Sequence, residues 1–262
     1  MPIFLDTGNL ADIERFHRMG ILRGVTTNPT ILLKEGVTGG LRGIEARSKE
    51  IARLIAPLPL SVEVTTDDPQ QMMHQALTFA GWADNIVVKI TIHGPNGEPG
   101  NLEVVHKLEC LHKVRVNVTA MMSAQQCFLA ALAGATYVSI FGGRVNNMGY
   151  NVCGEITKLR KLLDRFILGA SIIVGSTREV LNVVEWLEAG AHIVTVVPAL
   201  LEGMLVHPFS KETVQMFLRD AAKAEAVLAK TEVAVALTAA LESVRVAPPA
   251  ELGEPGNSLG HR

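Results

Sequence analysis

The sequence predicts a single (β/α)₈ barrel, and three observations lead to that prediction. The chain has 262 residues, of which 48% are hydrophobic and 19% charged, which suits one large α/β domain with one core. Eight short runs of β-branched and apolar residues begin roughly 20 to 36 residues apart, the length of a strand–helix unit. Near-continuous apolar strands that alternate with helices are typical of a parallel sheet covered on both faces. A closed barrel follows, and a doubly wound open sheet stays as the alternative.

The predicted strands follow one another at regular intervals. They are 3–7, 24–28, 60–65, 85–90, 114–119, 137–142, 170–175 and 192–197. Two of the intervening segments carry helix boundaries. Segment 123–133 begins at Ser123 and ends before Gly134, and segment 177–189 ends before Gly190.

The chain continues beyond the eighth predicted strand. A further helix is predicted from about residue 210 to 229, so we place the barrel and its helical extension in residues 1–240. Residues 241–262 are rich in proline and glycine and are predicted to be disordered.

Charge and cysteine content exclude several classes of function. The net charge is −2, with 24 basic and 26 acidic residues and no basic stripe, so we expect no nucleic-acid partner. The N-terminal residues lack the basic and long apolar regions of a signal peptide, and no apolar run approaches the length of a membrane span. Cys110, Cys127 and Cys153 are odd in number and scattered, and we expect reduced core residues of a cytoplasmic protein without membrane contacts.

Metal and nucleotide fingerprints are missing from the sequence. No Cys-x-x-Cys pair occurs, and His106 and His112 are too far apart to share a helical face as ligands. Neither the Gly-x-Gly-x-x-Gly pattern after a strand nor the P-loop pattern occurs. The sequence therefore predicts no metal and no nucleotide cofactor.

Lys89 lies in the fourth predicted strand, among Ile86, Val87, Val88 and Ile90. A buried ammonium is costly unless it is paired or loses its proton. Lowering a lysine pKa by about 3 units takes about 4 kcal/mol, which desolvation in an apolar strand can supply. A neutral amine there could attack a carbonyl and form a Schiff base. The alternative is a structural lysine that pairs with a carboxylate or extends to the strand end.

Polar residues stand at the carboxyl ends of seven of the eight predicted strands. In a barrel these ends line the active site. Each residue alone has an ordinary explanation: a turn, a loop start, a solvent-facing side chain or a helix cap. Because the others would surround Lys89, we interpret these residues as the lining of a single pocket. They are Asp6, Asn28, Glu63, Lys89, Asn117, Thr119, Ser139, Arg144, Ser176 and Arg178.

The same residues lie in segments that resemble the transaldolase family. The segments are 6–7, 24–29, 61–64, 88–90, 117–119, 141–144 and 175–178, in family order. Segment 204–211 and its following helix resemble the short branch, which includes small bacterial transaldolases and fructose-6-phosphate aldolases. The resemblance implies a barrel whose fourth strand carries the Schiff-base lysine, at Lys89. It also implies a homo-oligomer, a pentamer or decamer.

Four positions distinguish the two chemistries within this branch. The aldolase-type members typically carry glutamine at Glu63 and tyrosine at Phe141, and apolar residues at Asn117 and Ser139. This chain has the transaldolase-like set at all four. It departs from the family pattern at Ile140 and Gly142, where proline and valine are usual.

The resemblance assigns a role to each residue. Lys89 would form an imine with C2 of a ketose phosphate, Asp6 would deprotonate the C4 hydroxyl, and Glu63 with Thr119 would hold a proton-shuttling water. The iminium serves as electron sink, so no cofactor is expected. The remaining residues would bind the sugar-phosphate substrate: Asn28, Asn117 and Ser139 at the hydroxyls of the three-carbon unit, and Arg144, Ser176 and Arg178 at the phosphate. Phe141 is also expected to be a substrate-binding residue. A lyase that releases free dihydroxyacetone, an enzyme of a specialised sugar pathway and a non-catalytic sugar-phosphate-binding barrel stay as alternatives.

Overall fold

A computed structural model describes residues 2–245 and contains a closed barrel of eight parallel strands. Each strand pairs with its neighbours in chain order, and the first strand pairs with the eighth. The barrel prediction is thereby confirmed over the open-sheet alternative. The strands are β1 (Ile3–Asp6), β2 (Val25–Thr26), β3 (Leu60–Glu63), β4 (Ile86–Thr91), β5 (Val116–Met121), β6 (Tyr137–Ile140), β7 (Ser171–Val174) and β8 (Ile193–Val196).

Helices alternate with the strands along the chain. They are α1 (Leu10–Arg18), α2 (Pro29–Lys34), α3 (Leu41–Ile55), α4 (Pro69–Ala80), α5 (Gly100–His106), α6 (Ala124–Leu132), α7 (Gly142–Asn147), α8 (Val152–Phe166), α9 (Val180–Glu188), α10 (Pro198–Leu205) and α11 (Pro208–Arg245), with a π-helical turn at Lys107–Leu111. The predicted helix at 123–133 is confirmed as α6, capped by Ser123. Helix α9 begins three residues later than predicted, because the Asn182 side chain accepts from the Arg178 and Glu179 amides in a cap.

Strand residues alternate between two separate apolar regions. Outward side chains such as Val62, Val88 and Val118 are fully buried against the surrounding helices. Inward side chains form a smaller cluster within the barrel: Phe4, Tyr137, Ile173 and Ile193. Beyond these residues, towards the carboxyl ends of the strands, the inward positions become polar.

Gly24 makes room for the apolar cluster inside the barrel. A Cβ atom at this position would lie 2.6 Å from the Phe4 ring. The ring also packs edge-on against Tyr137, with centroids 6.2 Å apart. Phe4 thus closes the lower part of the barrel, and the cavity above it is left to polar side chains.

The chain divides into two compact units after Leu205. Helix α11 makes up most of the described part of the second unit and spans 38 residues, which is longer than the predicted 210–229. It also passes the predicted boundary at residue 240. Disorder was predicted for residues 241–262, but residues 241–245 belong to α11, and residues 246–262 lie outside the described residues. Several apolar side chains of α11 are exposed, among them Phe209, Phe217 and Leu237.

The expectation that all three cysteines are core residues is wrong for two of them. All three are free thiols, but only Cys127 is buried; Cys110 is exposed and Cys153 is half-buried. Cys110 falls on the outer face of the π-helical turn, so it is not a core residue. Burial raises the pKa of the Cys127 thiol well above its usual value. Between residues 2 and 245, no helix is long and apolar enough to cross a membrane.

Candidate active site

The carboxyl ends of the strands surround a cavity of about 680 Å³ that is lined by all eleven catalytic and substrate-binding residues predicted from the sequence. Strand alternation explains the convergence, because each of these residues has the inward parity of its strand or follows the strand end. The lining includes Asp6, Asn28, Glu63, Lys89, Asn117, Thr119, Ser139, Phe141, Arg144, Ser176 and Arg178.

Lys89 points into the barrel from β4 and is 5% exposed. Its Nζ donates to the Thr27 carbonyl oxygen at 3.2 Å and lies 3.4 Å from Glu63 Oε2. The two side chains are neighbours because Glu63 and Lys89 are in register on β3 and β4. The pairing matches the alternative for a structural lysine, but the paired carboxylate itself lines the cavity. Both members of the ion pair therefore line the same cavity.

Asp6 ends β1 and faces Thr26 of β2 in register. The Thr26 hydroxyl donates to Asp6 Oδ1 at 2.7 Å. Burial raises the pKa of Asp6, and the Lys89 charge and the Thr26 hydrogen bond partly oppose that rise. The turn that follows is built by other residues, since Asn9 caps α1. Asp6 is thus a carboxyl group of the barrel interior and not a turn residue.

Thr119 presents a buried hydroxyl to the cavity. It is 1% exposed, and its Oγ1 has no hydrogen-bond partner within the described part of the chain. The cap of the following helix is supplied by Ser123, so the helix-cap explanation of Thr119 is wrong. A bulge after Val118 accompanies this position, with Ala120 at a φ of 61°. Such bulges re-aim side chains beside active sites.

Asn117 and Ser139 belong to one hydrogen-bonded network across three strands. Ser139 Oγ donates to Asn117 Oδ1 at 2.6 Å, and Asn117 Nδ2 donates to Ser61 Oγ at 3.1 Å. The network fixes the orientation of the amide, and one Nδ2 proton stays available to a bound molecule. Asn28 has a double position: its side chain caps α2 by accepting from the Ile31 amide at 2.9 Å, and it also lines the cavity.

Two arginines and a serine lie at the opposite side of the cavity from α2. Arg144, on α7, and Arg178 are exposed, and the Arg144 guanidinium lies 5.2 Å from the Phe141 ring centroid. Ser176 has a φ of 61°, a left-handed conformation. Gly143 is required here, because a Cβ atom would overlap the Ser176 carbonyl oxygen. The close approach of the segments at Gly143 and Ser176 brings Arg144, Ser176 and Arg178 to one region of the cavity.

Gly142 shows why the chain departs from the family pattern at this position. A Cβ atom on Gly142 would lie 2.7 Å from Val174 Cγ1 and 2.9 Å from the Trp186 ring. Trp186 is fully buried, so its indole occupies the volume that a larger residue at 142 would need. Gly142 is therefore needed for the packing of Val174 and Trp186, and it is not among the residues that line the cavity.

Sequence reasoning missed three hydroxyl residues of the barrel interior. Ser61 and Thr26 lie on β3 and β2, and Thr195 supplies the eighth strand with the polar side chain that was not assigned to it. Ser61 is two positions from Glu63, Thr26 is in register with Asp6, and Thr195 is two positions from Ile193 of the apolar cluster inside the barrel. The two-residue period of the strands is the signal that would have found them.

Comparison with known proteins gives one family over nearly the whole chain. Residues 3–245 match the family described as transaldolase/fructose-6-phosphate aldolase. A probable transaldolase 2 of Listeria monocytogenes is 39% identical over 220 residues, covering 84% of this chain and 95% of the relative. A probable transaldolase of Exiguobacterium sibiricum is 35% identical over 225 residues, covering 86% of this chain and 100% of the relative.

Solved structures with low sequence identity share the fold. A thiamine phosphate pyrophosphorylase from Pyrococcus furiosus aligns with a TM-score of 0.52 at 13% identity, covering 75% of this chain and 85% of that one. A soluble mutant of (S)-mandelate dehydrogenase from Pseudomonas putida gives 0.52 at 12% identity, covering 76% and 67%. Barrels host many reactions, so these likenesses bear on architecture alone.

Proposed function

The chain belongs to the transaldolase/fructose-6-phosphate aldolase family, and we propose that it is a transaldolase. It transfers a three-carbon dihydroxyacetone unit from a ketose phosphate to an aldose phosphate through a Schiff base on Lys89. The observation that carries the proposal is the buried amine of Lys89, 3.4 Å from the Glu63 carboxylate and in one cavity with Asp6. The amine, a proton acceptor and a second carboxyl group are the groups that imine-based aldol chemistry requires.

Imine formation uses Lys89, Glu63 and Thr119. The amine attacks the C2 carbonyl after its proton passes to the adjacent Glu63 carboxylate, and a carbinolamine forms. Returning that proton to the C2 hydroxyl releases water and leaves the iminium. The unpartnered Thr119 hydroxyl supports this step, because it is free to bind the water that carries the proton.

Carbon–carbon cleavage then uses Asp6. Its carboxylate takes the proton of the C4 hydroxyl, the C3–C4 bond breaks, and the electron pair flows into the iminium to give an enamine on Lys89. An aldose phosphate leaves, while the three-carbon unit stays bound through Asn28, Asn117 and Ser139. A second aldose phosphate accepts the unit by the reverse steps.

Phosphate recognition is assigned to Arg144, Ser176 and Arg178. We expect Arg144→Ala and Arg178→Ala each to weaken transition-state binding of phosphorylated substrates on the order of 2–4 kcal/mol, because each guanidinium can bind phosphate through paired hydrogen bonds. Unphosphorylated ketoses and dihydroxyacetone should be unaffected. Steady-state kinetics with both substrate types measure the difference. Arg160→Ala is the control, since Arg160 pairs with Asp164 on the α8 surface; equal losses on both substrate types would contradict the assignment.

The choice of transferase over lyase depends on Phe141. Its phenyl ring packs near Arg144 and cannot donate a proton to the enamine, so the three-carbon unit should wait for an aldehyde. Fructose 6-phosphate alone should therefore turn over slowly. Added erythrose 4-phosphate or glyceraldehyde 3-phosphate should raise its consumption many-fold, as followed by product chromatography.

Phe141→Tyr is the matched variant for this test. The added hydroxyl should favour protonation and hydrolysis of the enamine and shift the product ratio towards free dihydroxyacetone. Rapid release of dihydroxyacetone by the unchanged protein, without an acceptor, would instead support the lyase. A ratio that does not change in Phe141→Tyr would exclude position 141 as the discriminating residue.

We further propose a homo-oligomer, a pentamer or decamer, as the short-branch resemblance implies. The exposed apolar side chains of α11, including Phe209, Phe217 and Leu237, support an oligomer because such surfaces usually contact a partner. Light scattering at micromolar concentration should report a mass several times that of one chain. A monomer under these conditions would contradict the proposal.

A further inference from the structure

We propose that Thr195 and Thr26 act together as positioning residues for Asp6, through a chain of two hydroxyl groups that crosses β8, β2 and β1. The inference rests on the proposed function, since it concerns the base of the cleavage step. Thr195 and Thr26 lie 169 residues apart in the sequence, and only closure of the barrel brings them together.

The geometry of the chain is short and buried. Thr26 Oγ1 lies 2.7 Å from Asp6 Oδ1, and Thr195 Oγ1 lies 2.6 Å from Thr26 Oγ1. Thr26 is 2% exposed and Thr195 is 6% exposed, so bulk water competes little with either bond. Thr177 fixes the backbone at Thr195, because its hydroxyl donates to the Thr195 carbonyl oxygen at 2.7 Å.

Proton counting sets the direction of the chain. A carboxylate only accepts hydrogen bonds, so Thr26 donates its single hydroxyl proton to Asp6. The proton in the bond between the two threonines must then come from Thr195. Each donor polarises the next, so the Thr195 hydroxyl strengthens the bond from Thr26 to Asp6.

This arrangement separates the two oxygens of Asp6. Oδ1 is occupied by Thr26, which leaves Oδ2 to take the C4 hydroxyl proton and to return it to the acceptor aldehyde. The same bond stabilises the carboxylate form, which burial disfavours. The hydroxyl chain therefore favours the carboxylate form of Asp6 and fixes which of its oxygens reacts.

Other charges around the cavity also act on Asp6, and they must be held constant in a test. Lys89 lowers the pKa of Asp6 through its charge. The remaining charged groups that line the cavity come from five elements: Asp12 on α1, Lys34 on α2 with Glu35 after it, Glu63 on β3, Arg144 on α7 and Arg178 before α9. Variants that change only hydroxyl groups leave all of these charges in place.

Threonine-to-valine and threonine-to-serine variants test the chain. Thr195→Val removes the hydroxyl with little change of shape, and Thr195→Ser keeps it. Removing a hydrogen bond to the carboxylate form raises the pKa of Asp6, so the acidic limb of the cleavage rate should move to higher pH. We expect a shift of about half a unit in Thr195→Val and about one unit or more in Thr26→Val, where the direct bond is lost. Thr195→Ser should keep the wild-type profile.

A double-mutant cycle shows whether Thr195 acts through Asp6. In an Asp6→Asn background, Thr195→Val should cause no further loss of cleavage rate. Thr157→Val is the matched control, because it removes one threonine hydrogen bond, from Thr157 on α8 to the Ala189 carbonyl oxygen at the end of α9, away from the cavity. A uniform loss of rate at every pH, or an undiminished loss in the Asp6→Asn background, would overturn the inference.

Borohydride trapping separates this inference from the proposed function. Wild type and Thr195→Val should both give an adduct on Lys89, because Asp6 acts after the imine has formed. No adduct in wild type would contradict the proposed function itself. An adduct in both proteins together with an unshifted acidic limb would contradict only the role of the hydroxyl chain.

Discussion

Lys89→Ala is expected to abolish both the reducible adduct and turnover. Wild-type protein treated with fructose 6-phosphate and borohydride should gain the mass of a reduced three- or six-carbon unit on one peptide, the one that contains Lys89. Without the amine no iminium can form, and the carbanion of the cleavage step loses its electron sink. Turnover should fall below about one thousandth of wild type, since covalent catalysis supplies much of the rate enhancement of such enzymes.

Two controls make this result specific. Lys34 lines the same cavity but lies on α2, so Lys34→Ala should still give the adduct on Lys89. Removing Lys89 also leaves Glu63 without its ion-pair partner, so circular dichroism must show that the barrel still folds. Peptide mapping that finds the adduct on another lysine in wild type would contradict the assignment.

The sequence predicted the barrel because its eight strands are short, largely apolar runs that alternate with helix-length segments. It predicted the cavity because strand ends in a barrel converge, so Glu63 and Lys89 could be assigned to one pocket. The sequence could not predict which side chains contact each other, because the register between neighbouring strands decides those contacts. The bond between Thr26 and Thr195 depends on closure of β1 against β8, which a linear pattern does not express.

The sequence also did not predict two local backbone features and the length of one helix. The left-handed conformations of Ala120 and Ser176 occur at residues that rarely adopt them, so no residue type announced them. The length of α11 was underestimated because its apolar side chains follow no single helical face, and a pattern search finds no boundary there.

The raised pKa of Asp6 predicts how the cleavage rate depends on pH. Its carboxyl group is within the barrel, bonded to Thr26, and burial raises its pKa above the ordinary aspartate value of 3.8. A base with a raised pKa becomes protonated at a higher pH as acid is added. Cleavage should therefore decline on the acidic side at a pH above 3.8, as the proton-accepting form is lost.

Asp6→Asn is expected to keep the imine and lose cleavage. The amide is nearly the same shape and its oxygen can still accept from Thr26, so substrate binding and trapping on Lys89 should survive. It cannot accept the C4 hydroxyl proton, and the loss of a general base typically lowers a rate by about 10²–10⁴-fold. The acidic limb due to Asp6 should disappear from the remaining activity. Asp12→Asn is the matched control, since Asp12 lines the same cavity beside Arg15 on α1 and should leave the acidic limb in place. Stopped-flow release of the aldose phosphate, measured beside adduct yield, separates the two steps; near-wild-type release by Asp6→Asn would show that another group is the base.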